Sequence, residues 1–249
     1  MTEEVARGMA AGSVDGSGLP EAGDSGTAAV HRRPLGREQI LREAVRLIDT
    51  EGRDRLTMRR LGSELGVEAM ALYRYIPGRE QLLDGVVEYV MNELYHKTMT
   101  QELPGSWQEY LQRMAHGVRS ICVAHPRVFP LVATRPPAAP WLRPPLRSLR
   151  WVEGFLASLQ RFGFTDPKCV GIYRSFSTFL LGHLLLESAT VDQGAEVELA
   201  EDIEFFETND LSQYPRLMAL EAQLRQDGYE EEFEDSLEDL LNRIEVVFS

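Results

Sequence analysis

Between residues 57 and 79 lie hydroxyl and guanidinium side chains that can donate hydrogen bonds to a polyanion, with Thr57, Arg59, Tyr73, Arg74, Tyr75 and Arg79 as the candidates. Hydroxyl and guanidinium groups are the usual donors to phosphate oxygens. Among them sit three slim, uncharged residues, Ala69, Met70 and Ala71. Small side chains can enter a DNA major groove about 12 Å wide, and apolar ones can meet thymine methyls there. The combination points to duplex DNA rather than to bond-making chemistry. Tyr73 and Tyr75 have a second reading as helix-end aromatics wedged between helices, and Arg59 and Arg74 as solvated charges.

No other constellation points to catalysis. The chain has no nucleophile elbow, phosphate-binding glycine loop, HExxH or clustered Cys/His motif. His183 and Glu187 stand four apart and would share a helix face, which reads as a polar pair in a wall rather than a metal site. We therefore expect no enzyme activity, no metal and no cofactor. The two cysteines, Cys122 and Cys169, lie in apolar helical patterns and read as reduced core thiols. No apolar run approaches the ~18 residues of a membrane span, and the N-terminus lacks a secretory signal. A cytoplasmic protein without a membrane partner is the expectation.

The formal net charge of −13 argues by itself against nucleic acid. Its distribution argues otherwise. Residues 31–80 hold 11 arginines and no lysine against 8 acids, whereas residues 192–249 hold 3 arginines against 18 acids. One end suits a polyanion and the other repels it.

The elements that must position these groups are helical throughout, so the expected fold class is all-α. Residues 1–32, rich in Gly, Ala and Ser, read as a disordered tail. Ile40, Leu41, Ala44, Val45, Leu47 and Ile48 give a helix over about 37–52, closed by Gly52. Thr57 caps a second helix, 57–64, facing inward with Met58, Leu61 and Leu65. Gly66 permits a tight turn, and a third helix, about 68–75, ends at Pro77-Gly78. Leucines and valines then recur along a fourth, 79–97. Ser106 opens a helix to about 124 with capping-box spacing. A proline-rich loop over 134–145 precedes a helix at about 145–162. A long apolar helix, 167–189, follows Asp166-Pro167. Residues 192–211 read as an acidic loop, and two helices, 212–226 and 230–248, close the chain. The expected organisation is a helix-turn-helix domain at 33–80 and a larger helical domain at 81–249.

Two short helices about a glycine turn, packed on a longer one, form a helix-turn-helix, whose last helix enters the major groove. The segment LTMRRLGSELGVEAMALYRYIPGREQLL, residues 56–83, resembles the DNA-binding signature of the tetracycline-repressor (TetR) family. Thr57, Leu61, Gly66-Val67, Leu72-Tyr73, Tyr75, Arg79 and Leu82-Leu83 sit on that pattern. Gly62 in place of the usual Ala, and Pro77-Gly78 in the bend, depart from it. The resemblance implies contact with operator DNA by the nine residues named above.

More weakly, GSWQEYL (105–111), ATRP (133–136), LLG (180–182) and the closing DLSQYPRL and FEDSLEDLLNRIE resemble the regulatory domain of the tetracycline repressor. That likeness implies a small-molecule cavity and a homodimer joined through the 167–189 and 230–248 helices. Its ligand groups do not carry over. Leu131 stands where a magnesium-binding His is expected, Met114 where an amide orients the drug, and Val118 beside them for an aromatic. Glu187 lies near the metal-linked Glu, one residue farther from Gly182. The implied cavity, with Tyr95, His96, Arg135 and Phe176 added as lining candidates, is more apolar. It suits an apolar or aromatic effector better than a magnesium–tetracycline complex.

Overall fold

In the computed structural model, residues 35–136, 139, 141–142, 148–196, 211–226 and 228–248 are described. The expected disordered tail, half of the proline-rich loop and most of the acidic loop lie outside them. Among the described residues every regular element is helical: α1 (Arg37–Glu51), a 3-10 turn (Arg53–Arg55), α2 (Met58–Leu65), α3 (Ala69–Leu72), α4 (Arg79–Thr98), α5 (Trp107–Ala124), α6 (Phe129–Thr134), α7 (Leu149–Arg161), α8 (Asp166–Glu196), a second 3-10 turn (Leu211–Gln213), α9 (Pro215–Leu224) and α10 (Tyr229–Phe248).

The helix starts follow local chemistry. Thr57 Oγ1 accepts from Arg60 N at 3.1 Å, Ser106 Oγ from Glu109 N at 3.2 Å, and Ser148 Oγ from Trp151 N at 3.2 Å. Each hydroxyl satisfies one of the orphan N–H groups at a helix N-terminus, worth about 1 kcal/mol. Gly66 adopts φ +66 at the end of α2, a left-handed conformation that side chains disfavour. There the chain reverses into α3.

Two expectations change, besides α8, which runs seven residues past its expected end at 189 and into the stretch read as an acidic loop. α3 stops at Leu72 rather than near 75, so Tyr73, Arg74 and Tyr75 lie in a turn. Tyr75 N and Ile76 N both bond to Leu72 O, at 2.9 and 3.0 Å. Ile76 precedes Pro77, whose ring disfavours the α conformation in the residue before it. α6 is the second change: a short apolar run, FPLVAT, forms one more helix, with Pro130 near its N-terminus, where its missing N–H costs nothing.

The described residues from Leu35 onward pack as one unit around a continuous core. The expected boundary after residue 80 is not a gap in packing, because α4 touches both sides of it. α4 approaches α1 closely at Gly85, where a Cβ would stand 2.7 Å from Leu41 Cδ2. Farther along, α4 packs on α5. Deeper in, Phe155 stacks between Trp151 (5.2 Å) and Phe176 (5.4 Å), with Tyr110 at 5.9 Å.

The stretch Asp166–Thr190 of α8 is long and apolar enough to cross a membrane by length and composition, against the expectation that no run comes close. Its apolarity has a different origin. Cys169, Ile172, Tyr173, Phe176, Leu180 and Leu184 form one face of the helix, buried in the core, while Val170 and Leu186 are exposed on its flanks. Both thiols are free and buried, as expected. Burial pushes the Cys122 thiol up to about 12, which keeps it protonated and unreactive.

Candidate DNA and effector sites

At the N-terminal end the structure separates two adjacent arginines. Arg60 is held by Glu51 (Nη2–Oε1 2.6 Å) on α1 and by Glu64 one turn along α2, and the bond to Glu51 raises its pKa further. Arg46 joins this network through Glu43 and Glu64. Arg59, one residue earlier, is exposed and has no ion-pair or hydrogen-bond partner among the described residues. Arg74 is likewise exposed and without one. Met70 is 75% exposed at the leading end of α3, with Tyr73 and Tyr75 exposed behind it. Ala69 and Ala71 are half-buried beneath. Leu72 and Ile76 are buried and anchor the segment.

Arg79 has a different setting. Its Nε and Nη2 donate to the carbonyls of Leu56 (3.2 Å) and Arg53 (3.1 Å). It thereby ties the start of α4 to the turn that presents Thr57. This structural duty uses two of the five N–H groups of a guanidinium, and nothing in the sequence signals it.

The second site is an apolar cavity between α4, α5, α6, α7 and α8, walled by Leu94, Val118, Phe129, Val132, Trp151 and Leu180 among others. Its volume is about 20 Å³, room for little more than one water molecule. Trp151 Nε1, on a wall residue, is buried without a hydrogen-bond partner among the described residues. Of the eight lining candidates read from the sequence, Val118 faces this cavity. Met114 and Phe176 are buried in the core beside it. Leu131 points the other way, into a polar cleft with Arg53 and Arg127, because neighbours on a helix are about 100° apart. Tyr95 lies under the Arg150 guanidinium at 3.8 Å, and His96 is exposed next to it. Glu187 accepts two bonds from Arg119, at 2.9 and 3.3 Å, outside the cavity.

Arg135 also lies outside the cavity, in a junction. Its Nε donates to Asp84 Oδ1 at 2.8 Å and its Nη2 to Glu80 Oε2 at 3.1 Å, both on α4. At the other end of α6, His125 Nδ1 meets Asp49 Oδ2 at 2.7 Å, and Arg127 donates to the Thr50 carbonyl at 3.2 Å, both on α1. The Asp49 bond raises the His125 pKa, against the effect of burial. α6 thus lines the cavity with Phe129 and Val132 and is tied at its two ends to α1 and α4.

Two family models match this chain: "Bacterial regulatory proteins, tetR family" over residues 40–86, and "Tetracyclin repressor-like, C-terminal domain" over residues 101–248. The chain belongs to the TetR family. Its likeness to known regulators spans both parts. The HTH-type transcriptional repressor DrrR1 of Streptomyces coeruleorubidus is 28% identical over 58% of this chain, and the match spans about half (51%) of DrrR1. The class E tetracycline repressor protein of Escherichia coli is 29% identical over 63% of this chain and 70% of its own length. Among solved structures, a possible TetR-family regulator from Streptomyces coelicolor A3(2) superposes with a TM-score of 0.67 at 27% identity, covering 85% of this chain and all of that one. The S. coelicolor TetR-family protein ActR, in complex with (S)-DNPA, superposes with a TM-score of 0.63 at 26% identity, over 86% and 98% of the two chains.

Proposed function

We propose that this TetR-family regulator is a homodimeric repressor, released from a near-palindromic operator by a small, largely apolar molecule. The observation that carries this reading is α6, which walls the apolar cavity and is tied to both α1 and α4. The cavity is too small for an effector as it stands, so binding must part its walls. Phe129 and Val132 are among those walls, and moving them pulls on Asp49, Thr50, Glu80 and Asp84. An effector that prefers the parted state lowers the population that fits DNA.

Two copies of α3 would enter successive major grooves about 34 Å apart. Arg59, Arg74 and Met70 offer unpaired groups for base contact, and Thr57, Tyr73 and Tyr75 hydroxyls for phosphates. Dimerisation through α8 and α10 would cover the exposed Val170, Leu186, Val246 and Val247. In α9 no residue is buried, although Leu217, Met218, Leu220 and Leu224 are apolar. A ten-residue helix is marginal alone in water, which supports a covering partner subunit. A repressor of this kind acts in the cytoplasm.

The test is reciprocal. Operator fragments are selected from random DNA with the purified protein, and apolar compounds are screened for release. A releasing compound must bind more weakly in the presence of operator by the same factor by which it weakens operator binding. Equal affinity with and without operator would refute the proposal.

A further inference from the structure

A second cleft, of about 380 Å³, lies apart from the apolar cavity at the far end of α4. It opens between Thr98 and Met99 at that end, Tyr110 and Arg113 of α5, and Ser158 and Arg161 of α7. Its polar groups are unbalanced. Arg113 Nη1 donates to the Glu102 carbonyl at 2.8 Å, and the guanidinium lies near the Tyr110 ring, 5.9 Å from its centroid. Its Nε is buried and has no acceptor. Arg161, exposed at the rim, has no carboxylate partner among the described residues.

Acids outnumber bases 39 to 26 in this chain. Arg42, Arg46, Arg60, Arg119, Arg135 and Arg225 all hold a carboxylate. Arg113 and Arg161 hold none among the described residues, and both line this one cleft. Glu102 is the single acid in its lining and pairs with neither, which leaves the cleft one positive charge in excess. A buried N–H without an acceptor keeps the cost of its lost hydration, which a ligand oxygen would recover. The Tyr110 hydroxyl donates to Met99 Sδ at 3.6 Å, a weak acceptor, with the Ser158 hydroxyl beside it and the Arg113 guanidinium as its charged neighbour. Burial raises its pKa to about 12, so it stays a proton donor. Met99 and Leu103 supply an apolar flank.

We propose that this cleft binds a small organic monocarboxylate, its oxygens on Arg113 Nε–H, the Tyr110 hydroxyl and Arg161, its apolar body against Met99 and Leu103. The volume is within the range of small-molecule sites. The site shares no lining residue with the apolar cavity, and its occupation requires neither operator nor effector.

The probes are 1-naphthoate and its uncharged counterpart 1-naphthamide, titrated calorimetrically into the full-length protein. Naphthoate should bind about tenfold or more tightly than the amide, the size expected for hydrogen bonds to a charged group. Arg113→Gln and Arg161→Gln should each weaken naphthoate binding by about tenfold and narrow its advantage over the amide, whose single carbonyl oxygen loses a neutral rather than a charge-assisted bond. Thermal unfolding of each variant verifies its fold, and Arg161→Gln, at an exposed position, keeps the test decisive if Arg113→Gln does not fold. No measurable naphthoate binding, equal binding of acid and amide, or unchanged naphthoate affinity in the folded variants would overturn the proposal.

Discussion

The neighbouring arginines of α2 should respond oppositely to removal. Arg59→Ala deletes a side chain with no partner among the described residues, so the melting temperature should be unchanged within error. If Arg59 grips a base edge bidentately, its loss costs about 1–3 kcal/mol of binding, on the order of 5- to 150-fold in Kd. The penalty should fall on one base pair, so preference there relaxes while the rest of the operator is still read. Arg60→Ala removes the bonds to Glu51 and Glu64, and those acids then face each other and Glu43 with Arg46 alone between them. Stability should drop, more at low salt than at high, and operator preference at each position should keep its pattern. Fluorescence anisotropy on single-base operator variants, alongside thermal unfolding at two salt concentrations, separates the two. A destabilised Arg59→Ala with intact operator affinity, or an Arg60→Ala that is fully stable but relaxed at one base pair, would refute the assignment.

Two further predictions concern the body of the protein. Phe155→Ala leaves a hole between Trp151, Phe176 and Tyr110 and should cost about 3–5 kcal/mol in denaturant unfolding; a loss under about 1 kcal/mol would mean that the site collapses around the gap. The His125–Asp49 bond stabilises the folded state through the protonated imidazole, whose pKa is raised in the fold. That contribution is complete below the ordinary histidine value of about 6.5 and disappears as pH rises through the raised folded value. His125→Gln should therefore flatten the fall in melting temperature above about pH 6.5, and an unaltered pH profile would count against the bond.

Local chemistry makes the DNA-facing end legible in the order of residues alone. Thr57 caps, Gly66 turns, and Leu61, Leu72 and Ile76 face inward because each depends on residues within a few positions of itself. The same holds for the Ser106 cap and the apolar stripes of α1 and α5. The all-α class follows from those periodicities. The family's pattern around residues 56–83 is of this local kind, and the family assignment therefore agrees with the sequence reading.

Tertiary structure decided what depends on distant partners. Arg59 and Arg60 are the same residue type side by side, and acids on α1 and one turn along α2 determine which is free. Arg79 reads as a phosphate ligand, yet carbonyls more than twenty residues earlier hold it. α6 escapes a periodicity search because six residues make less than two turns. Its position decides that Phe129 and Val132 face the cavity while Leu131 faces away. Cavity walls come from five helices spread over some ninety residues, so no local window contains them. The cleft around Arg113 is legible only as an absence of partners, and that requires every neighbour in place. The sequence by itself determined how each segment coils and which end of the chain suits DNA, since backbone sterics and side-chain periodicity act over a turn or two. Which charges are spent and where space remains were settled by packing alone, because both are properties of groups brought together from far apart in the chain.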